Sequence, residues 1–246
     1  MKTALSYILT PLFHLYYWLM LLAFHPVQVA AHHLMGDPAR KRTVDILNLL
    51  LIKGLYLLGC KVKFSGFEKI PHDRPLIIVS NHQSMYDIPA VVYGFRKHYP
   101  KFISKIELSK NIPSISYNLI HGKSALIDRE KPTQAVKEIF KLGQLIQENN
   151  YAACIFPEGT RSKTGQVKKF MSAGLNTLLR AAPSAVIIPF VIDGHSQFMH
   201  KGYFPLNFGQ KITYTVLDPV EPQGHDIEEV LGRIQVNIKK ALHQES

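Results

Sequence analysis

LIIVSNHQSMYDI, residues 76–88, is the stretch whose reading decides the fold. Leu76, Ile77, Ile78 and Val79 are apolar without alternation and too few for a surface helix, the pattern of a strand buried in a parallel or mixed sheet. Just past it, Ser80, Asn81, His82, Gln83 and Ser84 present one polar group after another, at the strand end where open α/β sheets place their sites. Ser84-x-x-Asp87 has the spacing of a capping box and predicts a helix from near Met85 to about His98. A bend folds the turn over the helix start, so His82 and Asp87 can meet. A carboxylate on one imidazole nitrogen fixes the tautomer, frees the other nitrogen to take a proton from a hydroxyl, and stabilises the imidazolium that forms. The plainer alternative is that Asp87 only caps the helix and His82 is an ordinary turn residue.

Working outward, the same succession of short strands and helices continues. Residues 61–67 (KVKFSGF) alternate like a half-exposed strand; 102–104, 124–127 and 153–156 read as further strands, and 185–190 as one cut short by Pro189, at its end or at a sheet edge. Pro132 opens a helix with an apolar stripe of Ala135, Val136, Ile139, Phe140, Leu142, Leu145 and Ile146. Helices are also expected over 170–181 and 226–241, with a strand over 211–216. This order predicts an α/β fold: a mixed, largely parallel sheet flanked by helices.

Ahead of it, residues 3–24 (TALSYILTPLFHLYYWLMLLAF) carry no formal charge and are long enough to span a bilayer core of ~30 Å. Thr10-Pro11 and His14 interrupt the run, Tyr16, Tyr17 and Trp18 suit an interface, and His25-Pro26 is expected to end it. A spanning helix, an interfacial anchor, a cleaved signal peptide and a buried core helix all compete for this segment. Gly36-Asp37-Pro38 breaks the chain, and Arg40-Lys41-Arg42 reads as a solvated loop or a contact with an anionic membrane face. Residues 44–60 are apolar nearly all round, a buried helix or the second arm of a membrane-seated hairpin. The domain division expected is therefore a membrane-associated helical anchor, 1–60, and a catalytic domain, 61–246.

Composition narrows the classes of function. The chain has 246 residues, 46% apolar and 19% charged, with 29 basic against 18 acidic residues and a formal charge of +11. So little charge, so one-signed, suits anionic partners such as lipid headgroups or phosphorylated small molecules. The two cysteines, Cys60 and Cys154, lie in apolar stretches without metal or redox spacing, as in a reducing compartment. GxGxxG is absent, and Gly159-Thr160-Arg161 lacks the lysine and spacing of a Walker loop, which argues against ATP and NAD. No HExxH or cysteine cluster points to a metal, and His32-His33 reads as a solvated pair.

The second informative stretch is residues 154–162, CIFPEGTRS, again a buried strand running into a polar turn. Its Pro157-Glu158-Gly159-Thr160-Arg161 run is expected at the same sheet edge as Asn81-His82. Gly159 allows a tight turn around a ligand, and Arg161 offers planar donors suited to phosphate. Glu158 accepts hydrogen bonds from a polyol or holds Arg161; an exposed Glu158–Arg161 ion pair is the structural alternative.

Together these blocks resemble the glycerolipid acyltransferases of the 1-acyl-glycerol-3-phosphate (lysophosphatidic acid) type. Asn81 to Asp87 matches the family's NHxxxxD block, and Phe156 to Ser162 its FPEGTRS block. Leu126-Ile127-Asp128-Arg129 looks like the intermediate block ending in a phosphate-contacting arginine, and Ile188-Pro189-Phe190 like the short proline block. The resemblance covers about 55–217; Lys123, Ser124 and Ile188 depart from the commoner residues, which bears on acceptor preference more than on the reaction. It implies transfer of an acyl group from a thioester, on coenzyme A or acyl carrier protein, to the sn-2 hydroxyl of lysophosphatidic acid, without a cofactor, a metal or a nucleic-acid partner. His82 would be the general base and Asp87 its orienting partner. Arg129 and Arg161, with Lys105 as a weaker candidate, would meet the phosphate; Glu158 and Thr160 would help bind the acceptor, and Gly159 with neighbouring amides would hold the oxyanion. The protein is expected at a membrane with its catalytic domain on the cytoplasmic side. Another acceptor, glycerol-3-phosphate or a different lysophospholipid, is the nearest alternative, and a non-enzymatic membrane-binding protein a remote one.

Overall fold

A computed structural model describes residues 2–162 and 164–244. Helices α1 (Lys2–Met35) and α2 (Asp37–Gly54) lead into β1 (Lys61–Ser65), β2 (Leu76–Ser80), α3 (Asp87–Gly94), β3 (Lys101–Lys105), α4 (Ile115–His121) and β4 (Ala125–Ile127). Then follow α5 (Pro132–Asn149), β5 (Ala152–Ile155), α6 (Ala173–Ala181), β6 (Val186–Asp193), α7 (His195–Phe198), β7 (Lys211–Val216) and α8 (Ile227–Ala241). The 7-stranded sheet has the order β1-β7-β6-β2-β5-β3-β4. All neighbours are parallel except β6 and β7. This is the mixed, largely parallel sheet expected, with an apolar helix at its N-terminal end.

β2 lies at the centre and is buried along its whole length. Leu76 and Ile78 enter one core layer, Ile77 and Val79 the other, so the strand shows no alternation because neither face meets water. One layer is closed by Ile139, Leu142 and Ile146 of α5, Leu175 and Leu178 of α6, and Ile234 of α8. The other is closed by Phe13, Tyr17 and Leu21 of α1, Leu47 and Leu51 of α2, and Val91 of α3. The N-terminal helices thus share one core with the sheet.

Three expectations for the N-terminal segment fail for identifiable reasons. α1 runs through both Pro11 and Pro26. A proline inside a helix costs about 3 kcal/mol, and tertiary bonds along α1 oppose that cost: Leu206 N–H donates to Thr10 Oγ1 (2.9 Å), Phe208 N–H to Ser6 Oγ (3.0 Å), Tyr16 O–H to the Leu50 carbonyl (2.9 Å) and Ser114 O–H to the Leu21 carbonyl (2.8 Å). Arg40 and its basic neighbours are helical, and Arg40 is fully buried. Its guanidinium donates to Asp37 Oδ1 (2.8 Å), Asn118 Oδ1 (2.7 Å) and the Tyr99 hydroxyl, so the charge is paired and fastens α2 to the edge of the sheet. Nor are His32 and His33 a loop pair: both lie in α1, with His32 5.0 Å from the His121 ring.

Pro189 neither ends β6 nor lies at an edge. The strand continues to Asp193 between β2 and β7. The Pro189 carbonyl faces β7, where it accepts from Leu217 N–H (2.9 Å), and its missing N–H therefore faces the same way. The antiparallel ladder begins at the next residue, Phe190, opposite Val216, so the proline stands at the ladder's end and forgoes only the reciprocal bond to Leu217.

Candidate active site

Asn81 fixes where β2 stops. Its side chain donates to the Ile192 carbonyl (2.7 Å) and accepts from Ile192 N–H (2.9 Å), replacing a backbone ladder beside β6 and turning the chain out at His82. His82 Nδ1 meets Asp87 Oδ2 at 2.8 Å, and the same oxygen accepts from the backbone N–H of Gln83 (2.7 Å) and Ser84 (2.9 Å). Ser84 O–H donates to Asp87 Oδ1 (3.1 Å), while Ser84 Oγ accepts from Tyr86 N–H (3.0 Å). One carboxylate therefore closes the turn and orients the imidazole; the two readings of Asp87 coexist. Because the turn wraps around that carboxylate, the helix starts at Asp87 rather than near Met85. Burial of Asp87 would push its carboxyl up, but the hydrogen bonds from His82 and from the Ser84 amide oppose that and hold it below the usual carboxylate range.

The second turn locks onto the first. His82 N–H donates to Glu158 Oε1 (2.8 Å), Lys168 N–H to Glu158 Oε2 (3.1 Å), and Ser162 N–H to the His82 carbonyl (2.8 Å). Glu158 is buried beneath the site and, among the described residues, makes no ion pair with Arg161. Burial pushes its carboxyl up, opposed by those two amides. The Phe156 ring stacks on His82 with centroids 4.1 Å apart.

Gly159 takes the left-handed conformation, φ +69°, with open space where a Cβ would stand, so the turn needs glycine for its backbone rather than for room. Its N–H donates to the Phe156 carbonyl (3.0 Å), which occupies the amide expected to face an oxyanion; its carbonyl accepts from Arg129. Lys168 Nζ donates to Thr160 Oγ1 and to the Arg161 carbonyl, both at 2.9 Å, and Arg161 Nη1 to the Tyr203 hydroxyl (3.0 Å).

His82, Gly159, Thr160, Arg129, Arg161 and Lys105 all line one cavity of about 920 Å³. Its apolar wall includes Tyr17, Trp18 and Leu21 of α1, Leu47 and Leu51 of α2, and Leu119 of α4. An imidazole with an orienting carboxylate thus stands in a largely apolar chamber beside two guanidinium groups. Such a chamber suits a substrate with a reactive hydroxyl, an anionic end and a long apolar chain. Cys154 is fully buried in β5, and burial pushes its thiol well up, so it is no nucleophile. Among the described residues, no group of three or more His, Cys, Asp or Glu is arranged to hold a metal ion.

Sequence reasoning missed Lys168, Tyr203, His195 and Tyr214. His195 was hidden by the early end expected for β6: once that strand reaches Asp193, Gly194-His195 arrives at the same sheet edge as His82.

Comparison with known proteins agrees with this geometry. The family described as Acyltransferase matches residues 61–193. Over 220 residues the chain is 26% identical to the 1-acyl-sn-glycerol-3-phosphate acyltransferase alpha of Mus musculus, covering 84% of this chain and 70% of that one. It is 32% identical over 145 residues to the 1-acyl-sn-glycerol-3-phosphate acyltransferase of Pseudomonas aeruginosa, covering 59% of this chain and 54% of the other. The crystal structure of the 1-acyl-sn-glycerophosphate acyltransferase of Thermotoga maritima shares the fold, with a TM-score of 0.77 at 24% identity over 100% of both chains.

Proposed function

The chain belongs to the acyltransferase family, and from that premise we propose that it moves a fatty acyl group from an acyl thioester to the sn-2 hydroxyl of 1-acyl-sn-glycerol-3-phosphate. The observation that carries this reading is the His82–Asp87 pair opening on an apolar cavity that also holds Arg129 and Arg161. Relatives whose names state that acceptor support it.

In this mechanism the nitrogen of His82 not bound to Asp87 takes the acceptor's hydroxyl proton as that oxygen attacks the thioester carbonyl. When the C–S bond breaks, the imidazolium returns the proton to the leaving thiolate, giving a free thiol and the new ester. Asp87 keeps the imidazole oriented and balances its transient charge. Arg161 and Arg129 take the acceptor phosphate, with Lys105 at the cavity wall as a further cation; Thr160 and Gly159 shape the turn between them. Glu158 acts by holding the His82 and Lys168 backbones. The apolar chamber favours a chain-bearing acceptor over glycerol-3-phosphate. Coenzyme A and acyl carrier protein both remain candidate donors. Purified protein given labelled acyl donors and a panel of acceptors tests the reading; acylation of glycerol-3-phosphate but not of its 1-acyl derivative would overturn it.

Arg161→Ala is expected to lower kcat/KM for the phosphorylated lysolipid roughly 10- to 100-fold, the worth of a charge-assisted hydrogen bond. Arg161→Lys should lose less, and 1-acylglycerol, which has no phosphate, should be nearly indifferent to both. Equal losses on the two acceptors would leave Arg161 a structural role.

α1 is long and apolar enough to cross a membrane, which suggests membrane association. Its inner face packs on α2 and on Tyr86 and Phe198, while Ile8, Leu12, Leu15, Leu19 and Leu22 are exposed on the other. A helix packed along a sheet domain cannot cross hydrocarbon without taking polar loops with it. We infer that α1 lies in the interface, on the cytoplasmic side. Wild-type protein should resist a salt wash, and the combined substitution Leu12→Lys, Leu15→Lys and Leu19→Lys should release it from vesicles; release of the wild type by salt alone would refute the placement.

A further inference from the structure

Asp87 is held from two sides, and only one of them faces the cavity. On the interior side, Ser84 Oγ stands 3.1 Å from Asp87 Oδ1 and 2.9 Å from His195 Nδ1, and His195 Nε2 is 2.7 Å from the Tyr214 hydroxyl. Ser84, His195 and Tyr214 are each 0% exposed, and His195 does not border the cavity. His195 Nδ1 itself lies 3.6 Å from Asp87 Oδ1, too far for a direct hydrogen bond, so Ser84 is the link.

One charge sets the direction of this chain. The ionised Asp87 can only accept, so the Ser84 hydroxyl points its proton at Oδ1. Ser84 Oγ must then accept from Tyr86 N–H and from His195, which places the His195 proton on Nδ1. Burial, stronger than the opposing pull of Asp87, keeps His195 below its ordinary value and therefore neutral. Its Nε2 is thus an acceptor, and the Tyr214 hydroxyl donates to it.

The fold delivers His195 to this position by a sharp turn. Gly194 has φ +93°, and a Cβ there would lie 2.1 Å from the Lys211 carbonyl oxygen. The turn carries the chain from the end of β6 directly beneath Ser84. The need for it is visible at the carboxylate: Oδ2 accepts from His82, Gln83 and Ser84, whereas Oδ1, among the described residues, has only the Ser84 hydroxyl. If that hydroxyl turns away, the carboxylate is fixed at one oxygen only and can tilt about its Cβ–Cγ bond.

We propose that His195 is a positioning residue for acyl transfer: through Ser84, and backed by Tyr214, it holds the Asp87 carboxylate in the plane from which Oδ2 orients His82. This rests on His82 being the general base. His195 touches no substrate, and its effect belongs to the chemical step.

The test compares His195→Leu, His195→Asn, Ser84→Ala and the Ser84→Ala/His195→Leu double variant in the full-length protein, with a lysolipid acceptor and melting curves alongside. His195→Leu should lower kcat roughly 10- to 100-fold, as for a lost hydrogen bond supporting a charged group, with the KM of acceptor and donor unchanged. Asparagine carries an N–H at the same δ position, bonded to Cγ, and should recover most of the loss. Since both residues act through one chain, the double variant should lose no more than the worse single one. Independent losses that multiply, a His195→Asn protein as poor as His195→Leu, or a His195→Leu protein with wild-type kcat would each overturn the assignment. If His195→Leu does not fold, Tyr214→Phe, which keeps the ring and withdraws only the hydroxyl, takes its place: lowered kcat at unchanged KM supports the assignment, and wild-type kcat overturns it. A wild-type protein inactive on every acceptor would instead remove the acyl-transfer reading.

Discussion

His82→Ala is expected to abolish nearly all acyl transfer while leaving a cooperatively folded protein. Loss of a general base typically costs ~10²–10⁴-fold in rate. The structural cost is small, because the imidazole stands at the cavity wall rather than in a core layer. Its main contacts are the Phe156 ring and one oxygen of Asp87. That oxygen keeps the Gln83 and Ser84 amides when the ring is gone, so the turn stays closed. Both the backbone bond to Glu158 and the one from Ser162 survive truncation of the side chain. The measurement is kcat beside a melting curve, and wild-type turnover in the purified variant would remove His82 from the mechanism.

Asp87 should behave differently, because it carries the turn as well as the base. Asp87→Ala leaves the Gln83 and Ser84 amides and the Ser84 hydroxyl without their acceptor in a fully buried site, at roughly 1–3 kcal/mol for each group left unpaired, so turnover and melting temperature should fall together. Asp87→Asn separates the two roles. With its amide oxygen in the place of Oδ2 it can still accept from the Gln83 and Ser84 amides and from Nδ1, but it brings no negative charge to balance the imidazolium, so kcat should fall severely while the turn stays closed. The carboxyl of the folded protein lies below its ordinary value. It therefore contributes stability above about pH 4, and that stability is lost as pH falls through the folded value. Asp87→Asn should flatten the acid side of the stability profile. An unchanged acid slope with unchanged kcat would mean that neither role exists.

The site was legible where its chemistry is local in sequence. Leu76 to Asp87 contains the strand, the turn, the base and its carboxylate, and strand polarity alone placed residues 156–161 at the same edge. What escaped was what depends on distant chain. The reading of Pro189 as an end hid His195, because only the neighbouring β7 shows that the missing N–H falls at the very end of the antiparallel ladder. Arg40 reads as solvated until Asp37, Tyr99 and Asn118 are brought around it. Glu158 looks like a ligand for a polyol, yet its oxygens are taken by two backbone amides separated from it by tertiary folding and by a loop. Likewise, Thr10-Pro11 marks a helix break only in isolation, since the bonds that keep α1 continuous come from residues near the other end of the chain.

The position of α1 has a consequence for how substrate concentration is to be counted. Tyr17, Trp18 and Leu21 form part of the cavity wall, while the opposite face of the same helix is exposed and apolar. With that face in a lipid leaflet, the chamber and the leaflet are separated by the thickness of one helix. A lysolipid and its two-chained product then exchange by lateral diffusion in two dimensions and need not pass through bulk water, where each methylene of chain would cost ~0.8 kcal/mol. The quantity that saturates the enzyme is the mole fraction of acceptor in the surface, so diluting the acceptor with inert lipid slows turnover even when its amount per millilitre is unchanged.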